Sequence, residues 1–242
     1  MNKLEGLTVG EIVSQNIAYA KVFQTHGIDF CCGGDILLLE AVKMVGVDIK
    51  ELVRDLNAVN TSDTVIVRAL NFDAWSLDLL IDYIFKFHHN YIKTEGNKIY
   101  ELIGKVVKAH GNTDPHLREV QSLFAASLVD LNEHLAKEEN ILFPFIMEIL
   151  NTHQRGASLP EFHCGSIENP IRVMEQEHND EGARFRVISE LTNSYSIPPH
   201  ACASYKLVLE ELKEFEDNLH IHIHVENNIL FPKAIKLQEL CR

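Results

Sequence analysis

The stretches HLAKEENILFP (residues 134–144) and HIHVENNILFP (residues 222–232) are two copies of one peptide. Each reads histidine, three residues, glutamate, two more residues and then ILFP. At an offset of 88 residues His222 falls on His134 and Glu226 on Glu138. The apolar stripe through the second copy is Val208, Leu212, Phe215, Leu219, His222, Glu226, Ile229. Through the first it is Val120, Phe124, Ser127, Leu131, His134, Glu138, Ile141. Steps alternating between four and three mark the buried seam of a bundle helix. Both the histidine and the glutamate therefore belong on a core line.

That position demands a reason. An ionised glutamate without a partner is too costly to bury, so it is protonated, paired or bound to a metal. The i, i+4 spacing puts histidine and glutamate on one face, a turn apart. Two ligands do not close a site, and facing helices must supply the rest. His89 and His178, 89 residues apart and each followed by asparagine, are the candidates. His89 continues the line Phe85, His89, Ile92, Ile99, Ile103; His178 lies on Met174, His178, Glu181, Phe185, Ile188. His88 competes with His89, and the repeat selects His89. Each half thus offers one lone histidine and one H-x3-E pair.

Four imidazoles and two carboxylates crowd a single zinc, which takes four ligands or fewer. They suit two iron ions, and manganese fits the same donors. Four-helix bundles build dinuclear carboxylate sites from inward-facing side chains. The expectation is a di-iron centre with His89, His134, His178 and His222 as terminal ligands and Glu138 and Glu226 as bridges. The plain alternative is a hydrogen-bonded motif kept by duplication, which leaves the inward glutamates unexplained. His220 and His224 flank His222 off the repeat and belong at the surface or behind the ligands. His110 and His116 bracket a turn, where exposure is expected. His153, His163 and Cys164 fall in a loop.

The remaining sequence reads as all-α. Glycine (12) and proline (7) are scarce in 242 residues, and 46% are hydrophobic. Residues 1–60 read as a three-helix N-terminal domain. Thr8–Glu11 has the capping-box pattern before an apolar run to about Phe23, Gly27 suits a helix end, and Asp48 caps a third helix. Asn57–Asp63 is turn-rich, and a linker is placed at 61–72. From 73 to 242 the pattern predicts a four-helix bundle with helices near 73–109, 114–150, 167–193 and 199–238. Residues 151–170 read as a loop.

A net charge of −13 argues against nucleic acid as a partner. No leader pattern and no bilayer-length apolar run is visible, which predicts a cytoplasmic protein without a membrane partner. The five cysteines, Cys31, Cys32, Cys164, Cys202 and Cys241, do not form a disulfide pattern. Cys31 and Cys32 precede a helix, whose N-terminus is expected to lower a thiol pKa and favour redox or metal-transfer chemistry. The other reading is that one of them packs as a small apolar side chain. Cys164, Cys202 and Cys241 look incidental.

The H…HxxxE…H…HxxxE order with KEENILFP and ENNILFP resembles the hemerythrin-like di-iron fold. The stretch GIDFCCGG (27–34) resembles the small di-cysteine domain that precedes it in the iron–sulfur cluster repair family, the repair-of-iron-centres proteins. Together the two motifs cover nearly the whole chain. The resemblance implies a non-haem di-iron centre at His89, His134, Glu138, His178, His222 and Glu226. It also implies restoration of iron–sulfur clusters damaged by nitric oxide or oxidants, by supplying iron to damaged iron–sulfur proteins. Oxygen-carrying hemerythrin has a further histidine four residues after the one on its third helix, where this chain has Gly182. Its last pair is H-x4-D, where this chain has H-x3-E. Fewer protein ligands suit chemistry, small-molecule binding or iron release better than carriage. Two rivals use the same centre: reduction of nitric oxide or peroxide, and sensing of oxygen or iron. A homodimer is compatible with either reading.

Overall fold

The computed structural model describes residue 4 and residues 6–59, 71–159 and 165–241. The described residues form eight helices and no strand; Thr8 and Leu37 make one isolated antiparallel bridge. The short helices are α1 (Val9–Gln15), α2 (Tyr19–Thr25), α3 (Leu38–Val45) and α4 (Ile49–Ala58). The long ones are α5 (77–110), α6 (116–155), α7 (Glu168–Leu191) and α8 (203–240). Contacts divide the chain into two compact units, one of residues 1–81, 147–161 and 221–242, the other of 82–146 and 162–220.

In the first unit the Thr8 hydroxyl accepts from Glu11 N and the Glu11 carboxylate accepts from Thr8 N, the reciprocal capping box that starts α1. The expected single helix to Phe23 is instead two. Asn16 adopts an extended conformation, and its side-chain oxygen captures the Ala18 N–H. An asparagine that bonds its own backbone two residues on offers the chain a turn in place of the helix. The N-terminal segment therefore holds four helices where three were expected. Gly27, at φ +68°, ends α2 in the left-handed region. Asp48 caps α4 through the Lys50 N–H, and α4 runs through Ala58, into the stretch read as linker. The rest of that linker, 60–70, lies outside the described residues, as do His163 and Cys164. His26 Nε2 and Asp55 Oδ2, 2.9 Å apart, tie α2 to α4. Ile12, Phe23, Leu38, Leu52 and Leu56 are buried, as are Leu230, Phe231 and Ala234 of α8.

In the second unit α5 and α7 both pack on α6. Phe124, Phe185 and Phe215, from α6, α7 and α8, share one aromatic layer with ring centroids 5.1 to 6.4 Å apart. The helix ends fall within a few residues of the expected ones, except that α6 continues to Arg155.

Three of the long helices contain a π-turn: Ile84–His89 in α5, Glu138–Leu142 in α6 and Glu226–Leu230 in α8. The last two lie directly upstream of Pro144 and Pro232. A helical proline lacks the N–H and crowds the carbonyl four residues back, here that of Asn140 or Asn228. A wider turn relieves the crowding and adds a residue. The added residue also shifts the apolar register. Ile141, expected in the core, is 46% exposed and Leu142 is buried in its place. Phe85, at the first π-turn, is likewise 46% exposed rather than inward.

Candidate metal centre

Three of the six candidate ligands, His89, Glu138 and Glu226, lie in these π-turns. In the 82–146/162–220 unit, His89 closes the first π-turn, Glu138 opens the second, and His134 and His178 come from α6 and α7. All four side chains are buried. Glu138 Oε2 lies 3.3 Å from His89 Nε2, and Oε1 lies 3.4 Å from His134 Nε2. His178 Nε2 stands 3.0 Å from His134 Nε2. His134, Glu138 and His178 each offer a donor atom within 4.8 Å of the others. In the 1–81/147–161/221–242 unit, His222 Nε2 is 3.0 Å from Glu226 Oε1, and both residues are fully buried. The two H-x3-E pairs thus have the same arrangement, each glutamate heading a π-turn.

The Glu138 carboxylate tests whether a cation fits. It has no solvent exposure, and neither oxygen has a hydrogen-bond partner. Burial alone would push its pKa up, yet the His134 and His89 imidazoles hold it well below the usual carboxylate range. A buried anion ringed by imidazole nitrogens and lacking hydrogen bonds is the chemistry of a metal ligand.

Carboxylates behind the rings fix their tautomers. His89 Nδ1 donates to Glu139 Oε1 at 2.8 Å, and His134 Nδ1 donates to Glu177 Oε2 at 2.9 Å. With a proton on Nδ1, Nε2 is the nitrogen each ring presents to the donor cluster. Lys93 Nζ reaches Glu139 at 2.6 Å, and Lys137 reaches Glu177. The His134 hydrogen bond, aided by Lys137, lowers Glu177 to about 2 against the pull of burial. Glu139 is lowered too, its burial outweighed by Lys93 and His89. Sequence reading missed these two acids because the repeat does not duplicate them. The position matching Glu139 is Asn227, and the residue before His89 is His88.

The neighbouring histidines separate clearly. His88 Nδ1 lies 3.1 Å from Asn218 Oδ1, and its ring stands edge-on to Tyr83. It is His89, stacked on Phe143, that faces Glu138. His220 is half-buried. His224 is not at the surface but fully buried, with Nδ1 3.2 Å from the Phe30 carbonyl and Nε2 3.4 Å from Ser14 Oγ. Burial lowers its pKa to about 4, so it stands there as neutral imidazole.

Asn228 donates to the Cys31 carbonyl at 3.0 Å. Gly10 and Gly34 make that approach feasible: a Cβ at either would sit within 2.5 Å of Asn228 Oδ1. Cys31 is buried and Cys32 half-buried, with their sulfurs 3.9 Å apart. Asp29 Oδ1 accepts from both of their backbone N–H groups, at 3.0 Å each, and lies 3.3 Å from Cys31 Sγ. The Cys32 hydrogen bond, burial and the nearby Asp29 charge push the Cys31 thiol well up. The expected lowering by a helix N-terminus is not found, because α3 begins only at Leu38. Asp29, Cys31 and Cys32 still bring three donor atoms within 4.8 Å.

Comparison with known proteins matches two segments of the chain. Residues 80–234 match the hemerythrin HHE cation-binding domain, and residues 5–60 match the ScdA N-terminal domain, described as a domain of unknown function. The iron–sulfur cluster repair protein ScdA of Staphylococcus haemolyticus is 33% identical over 225 residues, 93% of this chain and 96% of that protein. A probable iron–sulfur cluster repair protein of Haemophilus influenzae is 35% identical over 219 residues, 89% of this chain and 90% of its own. The iron–sulfur cluster repair protein YtfE of Yersinia pseudotuberculosis is 32% identical over 216 residues, again 89% and 90%. With an ScdA-type segment ahead of a hemerythrin HHE domain, and with this identity along nearly its full length, the chain belongs to the iron–sulfur cluster repair protein family.

Proposed function

We propose that this protein repairs iron–sulfur clusters damaged by nitric oxide or oxidants, supplying iron from a pair of ions held by His89, His134, Glu138, His178, His222 and Glu226. The observation that carries the reading is Glu138, a fully buried carboxylate without a hydrogen bond, set between the Nε2 atoms of His89 and His134. The repeat assigns the matching role to Glu226 beside His222. When bound, iron would supply a labile, redox-active cation pair. The protein's own part is to hold the imidazoles in the Nδ1–H tautomer through Glu139 and Glu177, and to keep water from the carboxylates. Cys31 and Cys32 would engage the damaged cluster or pass metal to it.

The setting in this reading is the cytoplasm, and the partners are damaged iron–sulfur proteins. No described helix is long and apolar enough to cross a membrane. The names borne by the relatives favour repair over a nitric oxide reductase or a sensor.

The test has two parts. Metal analysis and absorption spectra of the purified chain should give close to two irons per chain. The loaded protein should then restore activity to a nitric-oxide-damaged [4Fe–4S] enzyme, and its Glu138→Ala variant should not. Full loading without restoration would overturn the repair role, whereas failure to load iron would overturn the centre itself.

A further inference from the structure

A second group of metal-ligating side chains lies in the 82–146/162–220 unit, away from the residues above. His110 is the last residue of α5, and Asp114 lies in the turn before α6. His200 and Cys202 lie in the connection just ahead of α8. His110 follows His89 by 21 residues of the same helix, a separation of about 30 Å along a helix axis at 1.5 Å per residue. His110, Asp114 and His200 each offer a donor atom within 4.8 Å of the other two. His200 Nε2 is 2.8 Å from Asp114 Oδ2. His110 Nε2 is 3.2 Å from Cys202 Sγ. The sequence predicts an exposed His110 and an incidental Cys202. Instead His110 is half-buried under the Tyr205 ring, 5.3 Å between centroids, and behind it Tyr205 Oη meets His116 Nε2 at 3.4 Å.

We propose that His110, Asp114 and His200, completed by Cys202, form a mononuclear zinc(II) site that pins the two connections together. Two imidazoles, a carboxylate and a thiol are the donor types of closed tetrahedral zinc sites. Zinc bonds of about 2.0–2.3 Å place ligand atoms roughly 3.3–3.8 Å apart. The observed contacts of 2.8 and 3.2 Å lie close to that range, and Cys202 Sγ, in contact with His110, stands next to the three-donor group. The aspartate and a deprotonated thiol together balance the charge of the ion. A surface ion pair between His200 and Asp114 alone is worth little and leaves the Cys202–His110 contact unexplained. The soft thiolate and the ligand count of four favour zinc over iron or manganese.

The test uses the full chain, freed of metal, with Cys31→Ser and Cys32→Ser in every version so that those thiols contribute nothing. Cobalt(II) is titrated in and then displaced by zinc. The parent should bind one equivalent more than the His110→Ala/His200→Ala version and should show a thiolate-to-cobalt charge-transfer band. Cys202→Ser should abolish the band and weaken cobalt binding about tenfold or more. Equal stoichiometry in the parent and the double variant, or a band that survives Cys202→Ser, would overturn the proposal. Circular dichroism in chelator checks folding. If the double variant does not fold, His200→Gln and Cys202→Ser, both at exposed positions, take its place, and full cobalt affinity in both would overturn the site.

Discussion

His89 donates from Nδ1 to Glu139 at 2.8 Å while its Nε2 faces Glu138 at 3.3 Å, so two consecutive glutamates grip opposite edges of one ring. The outer acid orients the ring, and the inner one shares its face with the donor cluster. Lys93 anchors the outer acid in turn.

Glu139→Ala should therefore weaken metal binding without removing a ligand. Loss of a carboxylate behind a ligating histidine typically costs 10–100-fold in affinity. Glu139→Gln keeps an acceptor oxygen and should lose much less. Competition against a chromophoric chelator measures both, and equal losses in the two variants would count against an orienting role.

Removal of the inner acid should cost both metal and stability. Glu138→Ala and Glu226→Ala should each lose much of the metal, while His220→Ala should keep it. In chelator, Glu138→Leu should melt below the parent, because it leaves the buried His89 and His134 imidazoles without the anion they face, a loss of about 3–5 kcal/mol. Calorimetry of the metal-free proteins reads this, and an unchanged melting temperature would show that the carboxylate serves the metal alone.

Glu216 sets a pH dependence in α8. It is buried near Tyr195, and its pKa rises from 4.5 to about 7, chiefly through burial and secondarily through Asp217. As pH climbs past 4.5 the unfolded chain gives up this proton, whereas the folded chain holds it until about 7. The unfolded state then binds fewer protons, so stability falls across that window and levels off above it. Urea titrations at pH 5 and 7.5 should show the decline in the parent and a smaller one in Glu216→Gln.

Gly34→Ala should destabilise the N-terminal helices. Its Cβ would fall 2.4 Å from Asn228 Oδ1 and 2.8 Å from the Phe30 carbonyl. The side chain could swing away but the carbonyl could not, so a cost of about 1–3 kcal/mol is expected. Gly33→Ala, which meets nothing closer than 3.6 Å, is the control in denaturant unfolding.

The helical class and the four long helices were legible because a seam of alternating threes and fours survives in one sequence. The H-x3-E pairs stood out because duplication placed them in register. Where the reading failed, the determinants were not periodic. Asn16 broke a helix with its own side chain, and the π-turns moved Ile141 and Phe85 outward by inserting a residue that a fixed period cannot anticipate. Glu139 and Glu177 were invisible because each serves a ring on another helix and has no counterpart in the other half. His110, Asp114, His200 and Cys202 converge through contacts 86 and 92 residues apart, a distance over which no spacing rule operates.

The wide turns at Glu138 and Glu226 carry an evolutionary consequence. Deleting one residue from either would restore regular hydrogen bonding, yet would swing everything downstream by about 100°. Phe143 would then leave its stack on His89, and Phe231 its buried place. Neither copy can mend its irregular turn without unseating its own aromatic anchor, so the irregularity is locked in by packing as well as by chemistry.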